Sequence, residues 1–276
     1  MAFSGPGGDY ELQVPKNFNE AMASPQAAQW WAVMAKAVVK FEAAGRFVPL
    51  SKSMVPAGTK VWGSTWALSY KKDAETSEQP EYKARPSFDG RTDVEDTFFA
   101  APASMTEVLA TLAAVIVKRR VCGAADVSDA YTEAKRPEGK WRYMHMMQGF
   151  IRRDADGESY CYGLPWNFWG EKAAGRHFER HKNDMLAARG YVKAWDAVNV
   201  HVRPVEQGMV TMTTITDDFL VTADRLKEGP VEASAQAALD DVRSMFTKVK
   251  TCLWPTNFNG LKLTWVCSRR TGCRCR

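Results

Sequence analysis

Four stretches of the chain carry apolar residues at helical spacing, and four more carry the β-branched or alternating runs of strands. Ser24-Pro25 is a helix start signal and Gly45 a stop, with Trp31, Met34, Val38 and Phe41 as the apolar stripe between them. That stripe predicts a packing helix with both Trp30 and Trp31 in a core. Ser104 and Glu107 form a capping-box pair that opens a second helix through Val108–Val117. Lys118, Arg119 and Arg120 follow it, where cations suit the negative end of the helix dipole. A third helix is predicted from Gly170 to Arg189, with Ala174, Phe178, His181 and Met185 on one face and Gly190 closing it. A fourth runs from Val231 to Phe246 on Ala235, Leu239, Val242 and Phe246. Strands are predicted at Val61–Tyr70 and Tyr82–Arg85, joined by a charged, mobile tip, and again at Val192–Arg203 and Met209–Thr216. Helix and hairpin come first, then strand, helix, paired strands and helix. That order predicts an α+β fold and not an alternating parallel sheet.

Composition changes this picture little. The 276 residues, 45% hydrophobic and 11% aromatic, exclude a collagenous or disordered chain. No period of 20 to 50 residues repeats, which argues against a solenoid or propeller. The longest apolar run, ten residues from Val108 to Val117, is too short to cross a bilayer, so no membrane partner is expected. No secretory signal is visible at the N-terminus, and a reducing compartment, cytoplasmic or nuclear, is expected. The net charge of +5 owes much to Arg269, Arg270, Arg274 and Arg276; without them 33 cations face 32 acids. Net charge is therefore weak evidence for a nucleic-acid partner. Cys122, Cys161 and Cys252 read as buried free thiols, and Cys267, Cys273 and Cys275 lack a second ligand pair at zinc-site spacing.

The candidate chemistry is acidic. Asp126-Val127-Ser128-Asp129-Ala130-Tyr131 follows an apolar approach, and Asp217-Asp218 sits between two strand-like runs. Adjacent carboxylates repel, and burial raises the cost unless a cation is bound. One reading makes Asp217-Asp218 a solvated hairpin tip, because Asp favours turns. The other brings Asp126 to the Asp-Asp pair to chelate two Mg²⁺ ions about 3.5–4 Å apart, a device shared by polymerases, nucleases and phosphatases. Spacing does not choose among those three. His177 and His181 stand at i and i+4 but lack the order of a zinc-protease helix, and read as packed or surface residues. Gly5-Pro6-Gly7-Gly8 is a flexible N-terminus and not a phosphate loop, and no GxSxG elbow occurs.

DVSDAY (126–131) resembles the first catalytic motif of reverse transcriptases, and TITDDFLVT (214–222) the second. Trp30-Trp31 with Met34, Lys71-Lys72, Tyr82-Lys83-Ala84-Arg85, Ala101-Pro102 with Thr106, Tyr143-Met144, Gly149-Phe150, Tyr162-Gly163-Leu164, Gly190-Tyr191 with Asp196, and Phe258-Asn259-Gly260 are similar to further landmarks of the copia-type retrotransposon enzymes. The resemblance spans about residues 18 to 265.

It implies a right-hand polymerase of fingers and palm, with a ferredoxin-like, antiparallel palm and the thumb largely absent. The implied division is a flexible N-terminus (1–17), a fingers-like region (18–120), a palm-like region with the catalytic aspartates (121–265) and an unstructured basic tail (266–276). Asp126, Asp217 and Asp218 would be catalytic and would ligate two Mg²⁺ ions, with Mn²⁺ as a substitute. Tyr131 would gate the sugar of the incoming deoxynucleoside triphosphate, Asp129 and Ala130 would lie beside its phosphates, and Lys83 and Arg85 would meet their charge. The partners would be an RNA or DNA template with its primer, gripped through phosphates.

The chain departs from the family at Ile215, where an aromatic is usual, at Pro165-Trp166, where Lys and Gln are usual, and at Pro86, which is expected to break strand pairing. The alternative reading is a decayed, catalytically inactive module that only binds nucleic acid. An unrelated two-metal hydrolase is the third reading, and a sugar gate argues against it.

Overall fold

The computed structural model describes residues 3–5, 8–10, 13–71, 81–94, 100–194, 196–268 and 272–275. The expected tip between the first two long strands and Lys72 lie outside the described residues. In chain order the elements begin with β1 (Phe3–Gly5), β2 (Gly8–Tyr10), α1 (Phe18–Ala23), α2 (Ala27–Ala43), β3 (Val48–Ser51), β4 (Val61–Trp62), β5 (Ser64–Lys71) and β6 (Glu81–Phe88). Next come α3 (Met105–Val117), β7 (Val121–Val127), β8 (Arg142–His145), β9 (Tyr160–Leu164) and α4 (Ala174–Ala187). The rest are β10 (Val192–Lys193), β11 (Val200–Val205), β12 (Gly208–Ile215), β13 (Asp218–Ala223), α5 (Ala233–Met245), β14 (Val249–Leu253), β15 (Asn257–Phe258), β16 (Leu261–Lys262), β17 (Trp265–Ser268) and β18 (Gly272–Cys275). The fold is α+β. No helix among the described residues is long and apolar enough to cross a membrane.

The chain forms two compact units, residues 1–96 with 135–174 and residues 97–134 with 175–276. This division is discontinuous and differs from the linear 18–120 and 121–265 split expected. The segment carrying β8 and β9 joins the first unit, and α3 joins the second. Both chain ends, expected without regular structure, carry a short antiparallel strand pair, β1 with β2 and β17 with β18.

In the first unit, α2 lies against the β5–β6 hairpin. Its buried stripe is Trp30, Met34, Ala37, Val38 and Phe41, with Trp30 set between the rings of Tyr70 and Tyr82. Trp31, expected in the core, is 42% exposed and stacks on Phe150. Ser24 is the C-cap of α1 and not the N-cap of α2. The β5–β6 ladder runs on through Pro86, which faces Trp66, to Phe88. The expected break at Pro86 is absent because β6 pairs with β5 alone, and an edge strand tolerates proline. Gly170 (φ +88) abuts β6 so closely that a Cβ there would stand 1.9 Å from Phe88 O. Only glycine satisfies both demands.

The second unit is built on a six-stranded sheet in the order β10-β11-β12-β13-β7-β14, antiparallel at every pairing. The predicted strand Val192–Arg203 is in fact two, β10 and β11, folded back with Asp196 at φ +56 between them. The capping box of α3 forms as expected, Ser104 Oγ accepting from Glu107 N–H and Glu107 returning a bond to Ser104 N–H. Arg120 does more than answer the dipole: it is 5% exposed, pairs with Asp224 at 3.0 Å and donates to Thr211 Oγ1.

Period-two alternation divides the sheet residues between two cores. Val121, Ala125 and Val127 of β7 join Phe219, Val221 and Ala223 of β13 in one cluster with Phe178 and Leu186 of α4 and Ala235, Leu239 and Val242 of α5. Cys122 of β7 and Leu220 of β13 join Val108, Leu112 and Val115 of α3 in the other. Gly123 lets α5 approach: a Cβ there would meet Leu239 Cδ1 at 3.0 Å and Cys252 O at 3.3 Å.

Candidate carboxylate site at the end of β7

β7, lying between β13 and the edge strand β14, carries an apolar run and changes character at its last residues. Asp126 faces Asp218 of β13 on one side and Lys250 of β14 on the other. Facing residues of antiparallel strands stand roughly 4.5–5.5 Å apart at Cα, and their side chains share a face. Asp126, Asp218 and Lys250 therefore form one row on the α3 face. Two backbone bonds continue the framing beyond the ladder: Val127 N–H donates to Asp217 O at 2.9 Å, and Ser128 N–H to Lys248 O at 2.9 Å.

Asp217 sits in the two-residue turn Thr216-Asp217 between β12 and β13, with Ile215 facing Asp218. Thr216 has φ +52. A β-branched residue is a real outlier in that region, and such strain persists only where the surroundings fix it. Here the surroundings are the six-pair ladder from Val210↔Ala223 to Ile215↔Asp218.

The electrostatics report the crowding. Burial, then Asp217, then Asp126 push the Asp218 carboxyl up to about 6. Burial, then Asp217, raise the Tyr131 phenol. Asp126, Asp217 and Asp218 are all half-buried. Tyr131 belongs to a 3-10 turn, Ala130–Glu133, and its ring meets Phe178 edge-on at 6.4 Å. Asp129 precedes it in the left-handed region at φ +58, its carbonyl accepting from Thr132 N–H (2.8 Å) and Oγ1 (2.9 Å). Ala130 is buried.

The three aspartates and Tyr131 thus come together in the second unit. Lys83 and Arg85 belong to the first unit, on one face of β6, opposite Ser69 and Ala67. Lys83 lies 3.7 Å from Glu81. Pro165 O accepts from Arg136 N–H, and Trp166 has the Arg46 guanidinium 3.7 Å from its ring centre. His181 is half-buried against Phe246, and burial lowers its pKa despite Glu133 and Asp184. Cys122 and Cys161 are buried as expected, while Cys252, expected to be buried, is exposed.

Among the described residues no group of three or more His, Cys, Asp or Glu side chains is placed to hold a metal ion as it stands. Mg²⁺ asks for less: hard oxygens from one or two carboxylates, with water and phosphate oxygens completing the shell. The Asp126–Asp218 pair with Asp217 beside it supplies that donor chemistry.

Two residues of the site escape sequence reading. Lys250 is placed beside Asp126 only by the β14 register. Lys182, in a helix rich in charge, is fully buried and donates to Thr214 Oγ1 at 2.7 Å, three residues before Asp217. Neither position carries a local signal. Against known proteins, the chain matches no family model and no curated protein.

Proposed function

We propose that the second unit is the palm of an RNA-directed DNA polymerase of the copia retrotransposon type, working by two-metal nucleotidyl transfer. The observation that carries this reading is the register of Asp218 against Asp126 across adjacent strands, with Asp217 in the turn between β12 and β13. The strand order supports it. With the intervening β8–β9 and β10–β11 set aside, β7-α4-β12-β13-α5-β14 is a βαββαβ unit whose strands lie as β12-β13-β7-β14. That is the split arrangement of ferredoxin-like sheets, in which each helical crossover leaves room for one strand between the pair it connects. The motif resemblance adds the identity of the reaction.

On this reading the carboxylates of Asp126, Asp217 and Asp218 would hold two Mg²⁺ ions, which would supply Lewis-acid activation of the primer hydroxyl and charge stabilisation of the leaving oxygen. The primer 3′-hydroxyl gives its proton to solvent water, and its oxygen bonds to the α-phosphorus of a deoxynucleoside triphosphate. The bond from that phosphorus to the β-phosphate oxygen breaks, and pyrophosphate leaves. Tyr131, wedged against Phe178, presents its ring beside the sugar and disfavours a 2′-hydroxyl. Lys250 adds a cation beside Asp126. Lys83 and Arg85 are assigned to the triphosphate by the motif alone.

The second reading, a module that binds primer–template without extending it, draws on Pro165 and Trp166, whose surroundings in the first unit are structural and cationic. Primer extension on an RNA template with Mg²⁺ and deoxynucleotides, run beside Asp217→Asn, decides. Extension by the parent and none by the variant is expected. Background extension by both, with salt-dependent binding of primer–template, would establish the second reading instead. Shortening of the labelled strand would make the site a nuclease.

A further inference from the structure

The segment that leads into the Asp217 turn is held from both sides of the sheet. Thr213 and Thr214 of β12 point to opposite faces. On the α3 face the hydroxyls of Thr213 and Thr111 share a hydrogen bond of 2.7 Å. On the α4 face Lys182 Nζ donates to Thr214 Oγ1 at 2.7 Å. The Thr214 backbone is held as well: its N–H donates to Asn199 O at 2.9 Å, and its carbonyl accepts from Ala103 N–H at 3.0 Å. Three residues later the chain reaches Asp217.

Of these links, Lys182 is the one that physics disfavours. Its side chain is wholly buried, with Glu179 Oε2 at 3.7 Å and Asn199 Oδ1 at 3.4 Å. Replacing both members of a buried ion pair with apolar side chains of similar volume is often neutral or stabilising, whereas removing one member is destabilising. Burial weighs against the charge of Lys182 more than the Glu179 contact favours it.

We propose that Lys182 is a positioning residue: through its bond to Thr214 it fixes the end of β12 and so sets where the Asp217 and Asp218 carboxylates stand. Its catalytic meaning rests on the polymerase reading above, whereas its hold on the turn does not.

The charges facing Lys182 are Glu179 on its own helix, Lys193 of β10 and His201 of β11. Burial pulls the Lys182 ammonium down to about 8, against the pull of Glu179. Burial, with Lys182 and Lys193 beside it, holds His201 at about 4, so His201 is neutral well below the range where Lys182 changes charge. Because the folded-state value lies below the ordinary 10.5, the folded protein sheds this proton first. Overall stability then rises with pH between about 8 and 10.5, while the charged clamp on Thr214 is lost. Turnover and stability should move in opposite directions there.

The test uses the full chain with Lys182→Met and, separately, Thr214→Val. Amide hydrogen exchange of residues 215–219, thermal unfolding, and kcat and KM for primer extension against pH are measured. Exchange in the turn is expected to rise roughly tenfold in both variants, the loss of one charge-assisted bond. Lys182→Met should lower kcat roughly tenfold with KM unchanged, and abolish the fall in kcat above pH 8. Parent-like exchange in the turn, or exchange that rises evenly through the second unit, overturns the proposal. If the parent extends no primer, the polymerase reading fails and the exchange measurement still decides the positioning role. If Lys182→Met does not fold, Thr214→Val decides it.

Discussion

On the face of the six-stranded sheet turned to α4 and α5, Val121, Ala125 and Val127 of β7 and Phe219, Val221 and Ala223 of β13 are all at least 97% buried. On the face turned to α3, the same strands present Cys122, Ala124 and Asp126 beside Thr222, Leu220 and Asp218. The first face stays apolar to the last residue of β7. The second is apolar as far as Ala124 and Leu220, and its next pair is ionisable. Stability and candidate chemistry are thus one residue apart along a single strand. A slip of one residue in the β7–β13 register would exchange them, which is why that register is strongly specified.

The sharpest way to break this contrast is Asp126→Asn, one residue from the buried Ala125 and Val127. Primer extension should fall roughly a thousandfold while the protein folds no less stably, as expected of a carboxylate that acts on transition-state charge. Retained extension would remove the distinction between the faces. Leu239→Ala probes the other side, where Leu239 packs over Gly123. It should cost about 3 kcal/mol in urea unfolding, with kcat per folded molecule unchanged. A loss of kcat would show that the apolar face also carries chemistry.

Asp218→Asn addresses the boundary itself. Because the Asp218 carboxyl is raised from 3.8 to about 6, the folded state holds its proton more tightly than the unfolded one. Without divalent cations, stability should therefore fall as pH rises from about 4 to 6 and stay low above that. The variant should flatten this fall and melt a few degrees higher than the parent at neutral pH, and added Mg²⁺ should stabilise the parent more than the variant. A parent with no such fall would mean that Asp218 is not crowded. The smallest effect is expected of Thr216→Gly, which relieves φ +52 and should stabilise the protein by about 1 kcal/mol while loosening the turn.

Much of this architecture is local, and those parts are legible in the sequence. The Ser104–Glu107 capping box, the apolar side of α5 and the β5–β6 hairpin each depend on residues within one element or on neighbouring elements. The meeting of Asp126 with Asp218 was open to inference because both ends carry a recognisable pattern. What stays hidden is set by partners far along the chain. Trp30 and Trp31 look alike in a helical stripe, and only the rings of Tyr70 and Tyr82 select Trp30. Lys182 reads as a solvated residue of a polar helix until Thr214, 32 positions later, accepts its hydrogen bond. Lys250 acquires meaning only when β14 lies down beside β7. The break between β10 and β11 is invisible because apolar residues continue on both sides of it.

The interleaving of the two units has a practical corollary. The unit bearing the aspartates is made of residues 97–134 and 175–276, and residues 135–174 belong to its neighbour. No single truncation or protease nick can isolate it. A gene for the aspartate-bearing unit alone would have to excise the intervening forty codons and bridge Ala134 to Gly175 with a designed connector.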